Sequence, residues 1–156
     1  MPNITRNIHC TLIENKKTLA VAESCTGGML SALLTARSGS SEFFILGAVV
    51  YSNSAKNRIL KIPRALIDKN GAVSRPIALA MAKNVRRIAQ ADYGVGITGI
   101  AGPGGAVAGK PVGTVFIAVS SRRKTICRKF QLRGTRRAIQ RRSCQEALKL
   151  LLRLIK

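Results

Sequence analysis

The chain has 156 residues, 46% of them hydrophobic and 21% charged, with 27 Lys and Arg against 6 Asp and Glu. That length fits one domain of about 100–200 residues, and that apolar fraction excludes wholesale disorder. No run approaches the ~18 apolar residues of a membrane span, and a net charge of +21 draws anionic partners in, nucleic acid among them.

In chain order, Ile4, Ile8 and Leu12 recur every four residues and predict an amphipathic first helix ending at Lys16-Lys17. Residues 18–22 read as a short buried strand. Glu23-Ser24-Cys25-Thr26-Gly27-Gly28 follows, and Met29, Leu30, Leu33 and Leu34 then fall at helical spacing. Ser24 and Cys25 are therefore expected where a strand ends and a helix begins. Thr26 is the expected cap, and Gly27 and Gly28 let a ligand approach the backbone closely. Free amides at a helix start attract phosphate or a developing oxyanion. A small nucleophile beside them points to covalent catalysis, although an ordinary capped turn uses the same residues.

Residues 38–41 predict a loop, and 43–51, the longest apolar run, a buried second strand. Ser52 or Asn53 can cap a short helix carrying Lys56, Ile59 and Leu60. Pro63 opens another short helix that stops at Asn70-Gly71. Ser74 caps a longer one with Pro76 in its first turn, and Ile77, Met81, Val85 and Ile88 line its buried face. Residues 93–100 predict a third strand running into a second glycine-rich loop, through Gly102 and Gly104. Strands over 112–120 and 126–132 form a hairpin around Arg122-Arg123-Lys124. The last helix spans about 135–155, with Ile139, Ser143, Ala147, Leu150 or Leu151, and Leu154 on its buried side. Early alternation of helices and strands with a late hairpin predicts one α/β domain over 1–156. Its architecture is three layers, α/β/α, around a mixed, mostly parallel sheet.

Cys10, Cys25, Cys127 and Cys144 are dispersed and form no CxxC pair, so no metal or redox site is expected. They are expected as free thiols of a cytoplasmic protein, since residues 1–6 lead into no signal-peptide apolar region. His9 is the only histidine, and a catalytic triad would need the first helix to reach the site.

Five blocks in one order then carry a resemblance: AESCTGG at 22–28, VVYSNSAK at 49–56, GAVS at 71–74, ITGIAGPGG at 97–105 and KPVGTV at 110–115. Together they resemble the CinA carboxy-terminal domain, the nicotinamide-nucleotide amidase family, from about residue 18 to 152. The resemblance implies hydrolysis of the carboxamide of nicotinamide mononucleotide to nicotinic acid mononucleotide and ammonia, in pyridine-nucleotide salvage. It implies no cofactor. The separate amino-terminal domain of full-length CinA proteins is not in this sequence, so a stand-alone amidase is expected. The family's catalytic serine, tyrosine and lysine match Ser24, Tyr51 and Lys56, and the threonine of its second glycine loop matches Thr98. Glu23, Cys25, Thr26, Gly27, Gly28, Thr98, Gly102, Gly104 and Arg136 form the expected substrate-binding set.

The residue types fit that chemistry. Serine needs a base to take its proton, and with no usable histidine Lys56 is the candidate, in a Ser-Lys arrangement. A lysine must be driven down from about 10.4 to serve near neutral pH, by burial or neighbouring cations. Glu23, if close, opposes that. Tyr51 can relay the proton or orient the lysine, and amides around Cys25 to Gly28 can hold the oxyanion. The loop at 102–105 can admit phosphate or ribose. Cys25 is the rival nucleophile.

The sequence departs from the family in three places. Thr135 stands in Gly134-Thr135-Arg136 where an Asp is usual, Gln140 replaces an Arg, and Ala108-Gly109 replaces acidic residues. These changes weaken substrate affinity or shift the phosphate contact to Arg136 or Arg141. A competing reading is a non-catalytic nucleic-acid-binding accessory protein, because ten of the 21 residues over 122–142 are Arg or Lys. The expected partners are a small nucleotide and further copies of the chain in a homo-oligomer, with nonspecific nucleic acid as a further candidate; no membrane is expected.

Overall fold

The computed structural model describes residues 2–155. The elements are α1 (Pro2–Glu14), β1 (Leu19–Glu23), α2 (Met29–Thr35), β2 (Phe44–Val49), α3 (Asn53–Arg58), α4 (Arg64–Asn70), α5 (Arg75–Ile88), β3 (Tyr93–Gly99), β4 (Thr114–Ser120), β5 (Thr125–Gln131) and α6 (Arg136–Ile155), with a 3-10 turn at Ser40–Glu42. The sheet order is β2-β1-β3-β4-β5. β1 pairs in parallel with β2 and β3, while β4 is antiparallel to both β3 and β5. Four strands thus share one direction and β4 alone opposes them, which is the expected mixed, mostly parallel sheet.

Alternation along β1 splits the core in two. Leu19 and Val21 join Ile8 and Leu12 of α1, Leu30 and Leu34 of α2, and Ile139, Ala147 and Leu151 of α6. Ala20 and Ala22 join Ile67 of α4 and Ile77, Met81 and Val85 of α5. The first face carries large side chains; the second carries small ones where α5 crosses. Gly96 shows why: a Cβ there would lie 2.6 Å from the Ala82 nitrogen and 2.7 Å from the Ala78 oxygen. The helix backbone rests directly on β3, which positions the loop between α4 and α5 over the strand ends.

Three expectations are corrected. β2 is not a buried strand: it lies at the sheet edge, so Ile45 and Val49 are about half exposed although Phe43 and Val50 are buried at either end. Ile88 lies off the buried face at the end of α5 and is 47% exposed. Thr26 does not cap α2. The chain runs through left-handed Gly27 (φ 61°) and Gly28 (φ 96°), so the helix starts only at Met29 with Gly28 as its N-cap. Its amides are served instead by Glu23 from the preceding strand, whose carboxylate accepts from Gly28 N (3.1 Å), Leu30 N (3.0 Å), Ser31 N (2.8 Å) and Ser31 Oγ (2.7 Å).

Gly96→Ala is expected to lower unfolding free energy by about 1–3 kcal/mol or more, because backbone rather than a flexible side chain must move. Gly104→Ala, whose Cβ would meet nothing within 4 Å, should be neutral. Urea unfolding of the two variants checks the contrast.

Candidate active site

Ser24 follows the last residue of β1, and its amide donates to the Ile97 carbonyl of β3 (3.1 Å), so it still lies in the sheet. Successive residues point to opposite faces. Glu23 faces the α2 layer, and Ser24 faces the layer of α3 to α5. On that side Ser52 caps α3, accepting from Ala55 N at 3.0 Å, and Lys56 sits one turn in. Its side chain turns back beneath the end of β2 and is 1% exposed.

Lys56 Nζ lies 3.0 Å from Ser24 Oγ and donates to the carbonyls of Val50 and Tyr51, each at 2.9 Å. A neutral amine has two N–H donors and one lone pair. With both donors taken by carbonyls, the remaining direction is the serine hydroxyl, which can donate to the lone pair. The ammonium form would donate its third proton to Ser24 instead. Burial disfavours the charged form and holds the amine down to about 8. A Cys25 thiolate would oppose that shift, but burial pushes this thiol up to about 12, so it stays protonated. Glu23, on the opposite face, spends its carboxylate on α2.

The other expected residues divide into groups. Cys25 is 5% exposed and packs into the α1–α2–α6 core, away from Ser24 Oγ. The amides of Gly27 and Gly28 are used, donating to Ser24 O and Glu23. The Thr26 amide donates to nothing among the described residues, and the Cys25 amide meets its own thiol. Thr26 Oγ1 is buried without a partner. Thr98 is 1% exposed and donates its hydroxyl to Ala72 O at 2.8 Å, tying β3 to the loop before α5.

The Tyr51 phenol does not hold the lysine; only its backbone carbonyl does. The ring is 57% exposed, and its hydroxyl accepts from Arg136 Nη2 at 2.8 Å. Arg136 Nη1 donates to Gly102 O at 2.7 Å. Arg136 therefore links the exposed Tyr51 ring to the Gly102 carbonyl, beside the backbone that holds the Lys56 amine. His9, whose ring lies 3.1 Å from Ser38 O, takes no part. Among the described residues no three His, Cys, Asp or Glu could hold a metal ion.

Sequence reasoning missed the carbonyls of Val50 and Tyr51 as acceptors, for which no side-chain pattern exists. It also treated Gln140 only as a loss. Its Nε2 donates to Cys25 O at 2.9 Å, so this amide braces the turn after Ser24 from α6.

The chain belongs to the CinA C-terminal domain family, which matches residues 2–155. It is 50% identical over 145 residues to a CinA-like protein of Syntrophus aciditrophicus, covering 92% of this chain and 34% of that protein. A CinA-like protein of Anaeromyxobacter dehalogenans is 49% identical over 133 residues, covering 85% and 33%. The chain thus spans about a third of the length of these curated relatives. The crystal structure of the competence/damage inducible protein CihA from Agrobacterium tumefaciens superposes with a TM-score of 0.96 at 35% identity, covering 99% of this chain and 94% of that one. No helix among the described residues is long and apolar enough to cross a membrane.

The arrangement predicts an inert Cys25. Alkylation by iodoacetamide at pH 7.5 should spare it in the folded protein and modify exposed Cys10, because a buried thiol is not the reactive thiolate. Mass mapping of the alkylated peptides checks this.

Proposed function

We propose that the protein is a serine amidase using Lys56 as its base, with the carboxamide of nicotinamide mononucleotide as substrate. The observation that carries the proposal is the fully buried Lys56 amine, 3.0 Å from Ser24 Oγ, with two carbonyls on its other hydrogen-bonding directions. The substrate comes from the five-block family resemblance and is supported by an exposed arginine held by Tyr51.

Ser24 Oγ attacks the carboxamide carbon while its proton passes to Lys56 Nζ. The amides of Cys25 and Thr26 receive the oxyanion. The Lys56 ammonium returns its proton to the departing nitrogen, releasing ammonia and leaving an ester on Ser24. Water, deprotonated by the same amine, then cleaves the ester to give the nicotinic acid nucleotide. Arg136, which is exposed, takes the phosphate in this reading, while Tyr51 holds its guanidinium. The missing acidic residue at Thr135 leaves Arg136 to Tyr51 and Gly102 alone.

Ser24→Ala should cut ammonia release by about 10³-fold or more. Lys56→Arg should cut it at least 10²-fold or so, since a guanidinium gives up no proton at working pH. Both should remain folded by circular dichroism. The required form is the neutral amine, so kcat should rise about tenfold per pH unit below the amine's value of about 8 and level off above it. A Lys56→Arg enzyme with ordinary turnover, or a pH profile flat from 6 to 9, would contradict the mechanism.

A further inference from the structure

The amidase reading leaves most of the positive charge unused. At the end of the sheet opposite Ser24, where β4 leaves and β5 enters, lies a cavity of about 360 Å³ lined by Lys83, Arg86, Arg87, Arg122, Arg123 and Lys124 together with Ser120, Ser121 and Thr125. No carboxylate lines it. A second cavity of about 410 Å³ shares Ser121, Arg122 and Arg123 with it and is otherwise lined by Tyr93 and by Lys17 with its ion-pair partner Asp92.

The cations of the first cavity come from two elements. Lys83, Arg86 and Arg87 stand at i, i+3 and i+4 of α5 and share one side of that helix. Arg122, Arg123 and Lys124 occupy the β4–β5 turn, which Ser121 Oγ fixes by accepting from the amides of Arg123 (3.3 Å) and Lys124 (3.0 Å). Among the described residues none of these six side chains donates a hydrogen bond or forms an ion pair. Among the described residues the ion pairs are Lys17–Asp92 and Lys149–Glu146. Arg86 Nε is buried with no acceptor. Six like charges with no internal counter-ion repel one another, and an anion between them removes that cost.

We propose that this end of the protein binds the phosphate backbone of double-stranded nucleic acid, without sequence preference. Six cations drawn from a helix and a turn are more than one small anion needs. Tyr93 is the only aromatic residue lining either cavity, so there is no platform for stacking unpaired bases. Contacts to phosphates alone position a protein without reading sequence.

The test uses the whole chain and a fluorescent duplex of about 20 base pairs in two unrelated sequences, titrated by anisotropy between about 50 and 200 mM salt. Both sequences should bind equally, with affinity falling steeply as salt rises. Arg122→Ala, Arg123→Ala and Lys124→Ala combined should weaken binding about tenfold or more and flatten the log–log salt slope by about 2 to 3. Lys83→Gln with Arg87→Gln should act in the same direction from the helix side. Arg6→Ala, Arg37→Ala and Arg153→Ala combined, on the α1–α2–α6 layer, remove the same charge and should have little effect. Thermal melts should show all three variants folded. Absence of duplex binding, equal weakening by both triple variants, or binding of tripolyphosphate or anionic vesicles in place of the duplex would each overturn the proposal. None of these readouts depends on amide hydrolysis.

Discussion

A lysine amine has been taken out of water, and the local structure follows from that. Holding the amine down to about 8 from 10.5 means that the ammonium form is disfavoured by roughly 3 kcal/mol relative to solvent. Such a group is tolerated only if its remaining polar directions are satisfied. The carbonyls of Val50 and Tyr51 do this because β2 ends there and α3 begins two residues on, leaving both without strand partners. The third direction is Ser24. Its position is fixed in turn by the pairing of β1 with β3, which extends one hydrogen bond past the end of β1.

The sheet separates two tasks that would interfere on one face. Glu23 turns away from Lys56 and organises the start of α2 through four accepted hydrogen bonds. A carboxylate beside the amine would raise its proton affinity; with the sheet between them, the helix gains its cap and the lysine keeps its depression. Because Glu23 serves the amides from Gly28 onward, the chain between Ser24 and Gly28 need not be helical. It forms a turn in which the Thr26 amide has no acceptor among the described residues, while Gln140 holds the Cys25 carbonyl from the far layer.

Much of this was legible in the sequence, and the exceptions have physical reasons. The order of elements, the α/β/α layering and the meeting of Ser24 with Lys56 could be read from periodicity, turn residues and the five blocks. The exposure of β2 could not, because an apolar run does not reveal whether a strand is central or at an edge. Thr26 looked like a cap by residue type, but a carboxylate from the neighbouring strand won that role through a contact that local spacing does not encode. Tyr51 was expected to meet the lysine through its phenol: its backbone meets Lys56, whereas its ring meets Arg136. Gln140 looked like a lost arginine because its partner, a main-chain carbonyl 115 residues away, leaves no mark in sequence.

The central claim is that one lysine loses its proton near pH 8, well below a solvated amine, because it is buried against Ser24. Carbon-13 labelling of the lysine ε-carbons, with a pH titration followed by NMR, reads this directly. The account predicts one resonance with its midpoint near 8, absent in Lys56→Arg. A spectrum in which every lysine titrates above about 10 would contradict it.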